Sequence, residues 1–388
     1  MTDSKLKVNS NRILSIDILR GLTIAGMIMV NNPGGSEVYT PLDHAEWIGL
    51  TPTDLVFPFF MFIMGITTYL SLRKFVFRWS VPCARKIAKR ALLLWAIGLG
   101  ISWLLMFTRG MISDENASLS LGQRLLVSAD TFDHIRILGV LPRLGICYGL
   151  AAIIAISVRH RFIPWIIAAL FIGYFVILEL GNGWAHDGTN ILAIVDDAIL
   201  GHNHVYRWDS PDPEGLLSTL PALGHVLIGF MVGKTVLTLQ SLDDKIERLF
   251  LIGVTMALVG WLLSYGCPIS KKLWTPTFSL VTCGLGSCVL ALLTWVIDKR
   301  GHQNAFTHFC HVFGVNPLAL YVLADLLLIP ISILPLAGSE TLQGFICDDL
   351  LAACLPAKLA SLAWAILYVL LNWLFGLWMF KKKIYIKL

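Results

Sequence analysis

The chain has 388 residues, of which 56% are hydrophobic and 14% are charged, and its formal net charge at pH 7 is +5. Because soluble domains carry about a quarter charged residues, this composition excludes an ordinary water-soluble protein and predicts one transmembrane domain over residues 1–388. The basic residues cluster in loops, as the orientation of a membrane protein requires, so we expect no nucleic-acid partner.

Ten stretches of the chain are apolar and long enough to cross a bilayer, which takes roughly 20 residues of helix. Backbone groups in lipid need partners within the segment, so we predict an all-α polytopic protein with about ten transmembrane helices. The predicted spans are residues 13–30, 53–72, 88–107, 138–157, 162–180, 216–238, 248–265, 277–297, 312–331 and 359–380. The apolar stretch 341–355 is short and contains Asp348 and Asp349, which predicts a re-entrant or interfacial helix.

The basic residues also predict the orientation of these helices, because cytoplasmic loops collect Lys and Arg. The 23 residues from Asn31 to Thr53 contain neither Lys nor Arg, whereas loop 73–90 contains seven of them. With both termini in the cytoplasm, 20 basic residues fall on that side and 6 on the other. We therefore predict a short cytoplasmic tail at 1–12, a basic cytoplasmic tail at 381–388 and an exported loop after the first span.

Polar residues in the first span are candidates for function, because ionisable groups inside a membrane are costly. Asp17 and Arg20 lie three residues apart on one helical face. This spacing fits either an ion pair that orients the helix or a site for an anionic ligand. Asn31 begins the turn-forming run NNPGG, which on its own indicates only the end of the helix.

The loop after the first span contains His44, next to Asp43 and close to Glu46. A histidine beside a carboxylate is typical of a general base, although a solvated loop histidine is the commoner case. Asp54 opens the second span, where an acidic residue suits the helix dipole. On these grounds alone, capping is the simpler explanation of Asp54.

Later polar residues also have more than one explanation. Asn316 in the ninth span either lines a cavity or holds helices together. Two pairs of closely spaced histidines, His202 with His204 and His308 with His311, have no further ligands at the spacing of a structural metal site. The eight cysteines show no CxxC spacing, so we expect neither a bound metal nor a disulfide.

Seven strings, in order along most of the chain, form a pattern more specific than any one motif. They are RILSIDILRGLTIAGMIMVNNPGG, DHAEWIGLTPTDLVFPFFMFIMG, KRALLLWAIGLG, HIRILGVLPRLGICYGLAA, PDPEGLLSTLPALGHVLIGFMVGK, PISKKLWTPTFSLVTCGLG and, more weakly, GVNPLALYVLAD. This pattern resembles the heparan-α-glucosaminide N-acetyltransferase family of transmembrane acyltransferases. The extra lumenal segment and leading span of lysosomal members have no counterpart here, so we expect a compact bacterial member in an inner membrane, with the active-site loop facing the periplasm.

The resemblance implies that cytosolic acetyl-CoA gives its acetyl group to the amine of a terminal glucosamine on the exported side. The family's active-site histidine falls on His44, within the string HAEWIGLT. The asparagine that ends the family's first span falls on Asn31, its aspartate in the string DLVFP falls on Asp54, and its first-span arginine falls on Arg20. We predict His44, Asn31 and Asp54 as the catalytic residues. His44 would take the proton of the attacking amine, and Asn31 would donate a hydrogen bond to the developing oxyanion. Transient acetylation of His44 in a ping-pong sequence is the alternative.

Acetyl-CoA carries anionic phosphates, for which Lys and Arg are the usual partners. The exported side is nearly free of basic residues around His44. We therefore expect the nucleotide to dock at the cytoplasmic ends of the first and third spans, with the pantetheine arm threading between helices. The candidate contacts are Arg20, Arg90, Lys86 and Arg143.

The expected partners are acetyl-CoA, a glucosamine-terminated saccharide and membrane lipid, and a homodimer is left open. One alternative keeps the fold and changes the acceptor, which gives an O-acetyltransferase for an envelope or secreted polysaccharide. Another alternative is a transporter without chemistry, since ten spans with intramembrane charges also suit transport. The sequence shows no matched pair of broken half-repeats, which transporters often have.

Overall fold

The computed structural model describes residues 13–206, 210–337 and 340–386, and these ranges are predominantly helical. The helices are α1 (Leu14–Asn31), α2 (Val56–Arg73), α3 (Val81–Ile112), α4 (Leu121–Ala129), α5 (Val140–Ser157), α6 (Ile163–Leu180), α7 (Ile191–Leu200), α8 (Thr219–Thr238), α9 (Leu242–Leu263), α10 (Pro276–Leu293), α11 (Ala305–Val315), α12 (Pro317–Leu328), α13 (Leu342–Gly344) and α14 (Ala357–Lys381). One short antiparallel pair, β1 (Pro335–Ala337) and β2 (Glu340–Thr341), is the only sheet within the described ranges. The predicted all-α class is confirmed.

Nine helices of the described ranges are long and apolar enough to cross a membrane, and the number is ten when a bent pair of helices is counted as one span. Each of the ten predicted spans overlaps one of them, so the chain is an integral membrane protein with about ten spans. The predicted tail 1–12 and the last two residues of the tail 381–388 lie outside the described residues. Which face of the bundle meets the cytoplasm stays a prediction.

The ninth predicted span, 312–331, is broken in the middle. α11 ends before Asn316 and α12 begins at Pro317, and the two helices are bent by 84°. Pro317 has no backbone N–H to donate to the preceding turn, and the residue before a proline is biased away from the helical conformation. Asn316 accordingly leaves the helix, with φ −126° and ψ 52°. The break places the Asn316 side chain between two half-helices.

The third span begins earlier than its predicted range of 88–107. Ser80 caps α3, because its hydroxyl accepts a hydrogen bond from the backbone N–H of Cys83 at 3.3 Å. Pro82 in the first turn also favours a helix start at this point. Lys86, which the sequence places before this span, is therefore a helical residue, as Arg90 is.

The stretch 341–355 forms the short helix α13, which continues as a π-helical segment over Phe345–Leu351. This helix is too short to cross a bilayer, and it is not among the candidate spans of the described ranges. The structure therefore agrees with the expectation that 341–355 is not an eleventh span.

Helices α1 and α11 approach each other closely through two glycines. A Cβ atom on Gly21 would lie 1.7 Å from the carbonyl oxygen of Cys310, and one on Gly314 would lie 2.0 Å from the carbonyl oxygen of Asp17. Small residues of this kind let membrane helices come into backbone contact. The contact also allows Nε of Arg20 to donate to the Gly314 carbonyl oxygen at 2.9 Å.

Candidate functional site

The segment between α1 and α2 is anchored by Asp54, which is fully buried. Its Oδ2 atom accepts hydrogen bonds from the backbone N–H of Ala45 (3.1 Å) and from the N–H and hydroxyl of Thr51 (3.2 and 3.0 Å). Asp54 belongs to the 3-10 turn Pro52–Leu55 that leads into α2, and it caps this turn as its position predicts. The Oδ1 atom remains for a second contact.

That second contact is with His44. Oδ1 of Asp54 lies 2.7 Å from Nδ1 of His44. We assign Nδ1 as the protonated nitrogen, because a carboxylate that already accepts three hydrogen bonds accepts here too, which leaves the lone pair on Nε2. The His44 side chain is 40% exposed and that of Asp54 is not exposed at all. A buried carboxylate thus orients an accessible imidazole, as in enzymes that use histidine as a general base.

Lys271, 227 residues further along the chain than His44, joins this pair. Its Nζ lies 3.0 Å from Nδ1 and 3.5 Å from Nε2 of His44, and 3.4 Å from Oδ1 of Asp54. Burial lowers the pKa of Lys271 below the ordinary value of a lysine, while the carboxylates of Asp54 and Glu214 oppose this shift. The group therefore contains a histidine, a carboxylate and a mostly buried ammonium.

Two hydrogen bonds tie the segment before Lys271 to the segment after His44. The backbone N–H of Gly49 donates to the carbonyl oxygen of Ile269 at 2.8 Å. The hydroxyl of Ser270 donates to the carbonyl oxygen of Trp47 at 2.6 Å. In the sequence, Lys271 is only one of the charges of a predicted exported loop. Its place in the string PISKKLW is the single feature that indicates a site.

His44 and Lys271 line a pocket of about 200 Å³, which we call the outer pocket. Its facing wall contains Arg136 and Glu214, whose NH2 and Oε2 atoms are 2.6 Å apart. Burial alone would raise the pKa of Glu214, but the guanidinium groups of Arg136 and Arg143 hold it below its ordinary value. The remaining lining residues are Tyr206, Pro213 and Lys272. Three basic side chains, Arg136, Lys271 and Lys272, thus line the pocket beside His44, so the expectation of few basic residues around His44 is wrong. Charged and hydrogen-bonding groups on both walls suit a polar ligand.

Arg143, one of the predicted donor contacts, is fully buried behind this wall. Its guanidinium donates to the carbonyl oxygens of Pro213 (2.7 Å) and Gly215 (2.9 Å), and to the hydroxyl of Ser218. A buried guanidinium needs acceptors of this kind. Arg143 thereby fixes the chain on either side of Glu214, and it does not line either the outer pocket or the larger cavity.

The larger cavity, of about 540 Å³, lies among helices α1, α2, α3, α5, α11, α12 and α14. Two of the predicted donor contacts, Arg20 and Arg90, line it. The guanidinium carbon of Arg90 lies 4.5 Å from the centre of the Tyr148 ring. Lys86 is not a lining residue, and its Nζ lies 5.6 Å from the ring centre of Phe75. The structure thus brings Arg20 and Arg90 together and leaves Lys86 outside.

The C-terminal segment forms one wall of the larger cavity through Tyr385 and Ile386. Asn316, at the break between α11 and α12, holds this segment with two hydrogen bonds. Its Nδ2 donates to the carbonyl oxygen of Ile384 at 2.8 Å, and its Oδ1 accepts from the N–H of Ile386 at 3.0 Å. Asn316 is buried and does not line the larger cavity, so of the two explanations for this polar residue the structure favours a group that holds segments of the chain together.

Asn31 is the last residue of α1, and its side chain is exposed. Throughout the part of the chain that the structure describes, it makes no hydrogen bond with His44, Asp54 or Lys271. The next residue, Asn32, is buried and donates to the carbonyl oxygen of Ile28 at 2.7 Å. Of the three predicted catalytic residues, the structure therefore brings His44 and Asp54 together, and it adds Lys271.

The histidine pair in the loop after α7 has ordinary partners. Nδ1 of His204 donates to the carbonyl oxygen of Ile135 at 2.8 Å, and Nδ1 of His202 lies 3.1 Å from the carboxylate of Asp197. Across residues 13–206, 210–337 and 340–386, no group of three or more His, Cys, Asp or Glu side chains is placed to hold a metal ion.

Comparison with known proteins identifies similar chains. The sequence model described as heparan-alpha-glucosaminide N-acetyltransferase, catalytic, matches residues 12–265. The chain is 27% identical over 373 residues to the heparan-alpha-glucosaminide N-acetyltransferase of Homo sapiens, which covers 80% of this chain and 52% of that protein. It is 26% identical over 374 residues to the protein of the same name from Mus musculus, which covers 81% and 53%. The chain thus spans about half the length of the curated relatives it matches. The segment 12–265 that the family model matches contains His44 and Asp54 and ends before Lys271.

Proposed function

Because the chain belongs to the heparan-alpha-glucosaminide N-acetyltransferase catalytic family, we propose that it moves an acetyl group from cytosolic acetyl-CoA to the amine of a terminal glucosamine on the exported side of a membrane. The observation that carries this proposal is the hydrogen bond of His44 to the buried Asp54 at the edge of the outer pocket. This bond leaves Nε2 unprotonated, and a neutral imidazole held in this way can accept the proton of an attacking amine.

In the proposed reaction, the amine nitrogen attacks the thioester carbonyl carbon, and the electron pair of the C=O double bond moves onto oxygen. His44 takes the proton that the amine loses, and Asp54 stabilises the imidazolium that forms. The C–S bond then breaks, and His44 returns the proton to the departing sulfur. The products are an amide and a free thiol, and His44 ends the cycle in its starting state.

A transient acetyl-His44 is the alternative route, in which the donor leaves before the acceptor is acetylated. We propose direct transfer, because a single site can hold both reacting groups next to one base. The two routes differ in their kinetics: ping-pong transfer gives parallel double-reciprocal plots and a burst of free thiol without acceptor.

We propose that the larger cavity binds the phosphate-bearing end of acetyl-CoA. Its volume lies within the range of about 300–1,000 Å³ that is usual for ligand pockets. Arg90 supplies one cation, and Arg20 supplies a second that is already paired with Asp17, whose Oδ1 lies 2.5 Å from its NH2. Guanidinium groups bind phosphate oxygens in a bidentate manner. Lys86 and Arg143 lie outside this cavity, so the proposal retains only Arg20 and Arg90 as phosphate contacts.

The distance between the two sites supports a donor that reaches from one to the other. Phe60 and Thr67 line the larger cavity, and at 1.5 Å per helical residue they lie about 9 and 20 Å further along α2 than Asp54. A nucleotide in the cavity would therefore need an extended arm to bring its thioester to His44. Acetyl-CoA has its acyl group at the end of such an arm.

The experiment that tests the function uses purified protein, labelled acetyl-CoA and two acceptors, glucosamine and N-acetylglucosamine. We expect label on the amine of glucosamine and none on N-acetylglucosamine. Labelling of both acceptors would instead support the O-acetyltransferase, and no labelling of any acceptor would refute acetyl transfer and favour the transporter.

The same assay in sealed, oriented vesicles tests the proposed placement in a bacterial inner membrane, with His44 on the periplasmic face. Acetyl-CoA should act only from the face that bears the termini, and the sugar only from the other. Activity with both substrates supplied on the His44 side alone would contradict this placement.

Arg90→Glu is expected to raise the KM for acetyl-CoA about 10- to 100-fold and to leave the KM for the sugar nearly unchanged. The reason is that a hydrogen bond to a charged group contributes about 1.5–3 kcal/mol, and the substituted carboxylate also repels phosphate. Initial rates measured with each substrate varied in turn give both constants.

Arg85→Glu is the matched control for this prediction, because Arg85 is exposed on the same helix and does not line the larger cavity. Its KM for acetyl-CoA should stay near that of the unmodified protein. An equal rise of KM in both variants would mean that the net charge of this face matters, rather than binding of phosphate by Arg90.

A further inference from the structure

Lys271 lies over the face of the His44 ring. Its Nζ is 3.0 Å from Nδ1 and 3.5 Å from Nε2. A donor that approached Nδ1 from outside the ring and in its plane would be much farther from Nε2, because Nε2 lies on the opposite side of the ring. A donor in the plane between the two nitrogens would overlap with the ring carbon Cε1. The ammonium therefore sits above the ring, and Nδ1 remains available to donate to Asp54.

This position puts a cation beside the nitrogen that acts as the base. Lys271 and His44 both line the outer pocket, where the acceptor and the thioester would meet. Acyl transfer needs two groups in this relation, a base for the proton of the amine and a donor about 3 Å from the oxygen on which negative charge develops. An ammonium 3.5 Å from Nε2 can reach a carbonyl oxygen whose carbon is being attacked next to His44.

The surroundings of Lys271 hold its charge in place. Its side chain is only 16% exposed, and its Nζ lies 3.4 Å from Oδ1 of Asp54. A buried ion pair is a weak source of stability, because desolvation of both charges offsets most of their attraction. The same desolvation strengthens the attraction of the ammonium for a negative charge that forms within the pocket. A role in stabilising this negative charge would therefore explain why a lysine is buried here despite the cost of desolvation.

We propose that Lys271 is a catalytic residue whose ammonium binds the thioester carbonyl oxygen and stabilises the oxyanion that forms during acetyl transfer. This inference rests on the proposed function and leaves its balance of protons and electrons unchanged, because Lys271 only donates a hydrogen bond. It gives Lys271 the role that the sequence suggests for Asn31. Asn31 is exposed and, among the described residues, makes no hydrogen bond with His44 or Asp54.

The test compares Lys271→Met, Lys271→Arg and Asn31→Ala in the full-length purified protein, with kcat and both KM values measured for each. Loss of an oxyanion donor typically lowers kcat about 10²–10³-fold, and we expect this loss in Lys271→Met with little change in either KM. Lys271→Arg keeps a cationic donor and should recover part of kcat. Asn31→Ala should keep most of it. Lys358→Met, an exposed lysine outside the outer pocket, is the control for the loss of a charge.

Each outcome decides the inference. Wild-type kcat in Lys271→Met, or a large loss of kcat in Asn31→Ala alone, would overturn it while leaving acetyl transfer intact. A rise of KM without a fall of kcat would overturn it too, because the ammonium would then bind the ground state. Should Lys271→Met fail to fold, Lys271→Ala, which also lacks a donor, replaces it with the same expected loss. An unmodified protein that acetylates nothing would refute the proposed function itself.

Discussion

His44→Ala is expected to lower kcat for acetyl transfer by about 10²–10⁴-fold, the usual contribution of a general acid–base group. The variant removes Nε2 of His44, the nitrogen proposed to take the proton of the amine at the edge of the outer pocket. The protein should still fold and insert, because the side chain is 40% exposed. Turnover of labelled acetyl-CoA with glucosamine measures the loss, and size-exclusion chromatography checks the fold.

His202→Ala is the matched control, since His202 is another histidine beside an aspartate and its side chain is 57% exposed. Its turnover should equal that of the unmodified protein. If His44→Ala turned over acetyl-CoA at a near-normal rate, His44 could not be the base, and the proposed mechanism would fail even if the activity itself were real.

Asp54→Asn is expected to cost nearly as much turnover, although His44 stays in place. An asparagine amide that faces the ring donates to Nδ1, so the ring proton moves to Nε2 and the lone pair needed by the base is lost. The equivalent change in a Ser-His-Asp triad lowers kcat about 10⁴-fold. We expect a loss of at least about 10²-fold here, measured with the same assay.

Asp54 also caps the turn before α2, so its variant has a second effect that must be measured separately. Loss of a cap costs about 0.5–2 kcal/mol, which should lower Tm modestly. Asp197→Asn, at an aspartate that is 48% exposed, is the control for the change of charge. If Asp54→Asn lowered Tm and left kcat unchanged, Asp54 would act only as a capping residue and not in the reaction.

The number and position of the spans could be predicted from the sequence, because length and hydropathy report directly on the thickness of a bilayer. The break in the ninth span could not be predicted with the same ease. The residues on both sides of Asn316 are apolar, so their hydropathy does not indicate a break in the helix. The bend of 84° depends on the helices packed around it. Pro317 was a local signal for this break.

The candidate site divides in the same way. His44 and Asp54 are ten residues apart, so one motif and one turn bring them together. Lys271 lies in a loop 227 residues after His44, and only the fold of the whole bundle brings it into contact with His44 and Asp54. Arg143 is the opposite case, because a charge inside a span suggests a ligand, whereas in the structure its guanidinium donates to two backbone carbonyls and a hydroxyl at the wall of the outer pocket.

The wall that Tyr385 and Ile386 give to the larger cavity has a consequence for biosynthesis. Every helix around this cavity leaves the ribosome before Tyr385 and Ile386 do. The two backbone groups to which Asn316 is hydrogen-bonded, on Ile384 and Ile386, are also synthesised after those helices. A growing chain therefore inserts its spans with the cavity open on one side. We expect such a chain to bind acetyl-CoA more weakly than one that contains Tyr385 and Ile386, because one wall of the cavity is missing.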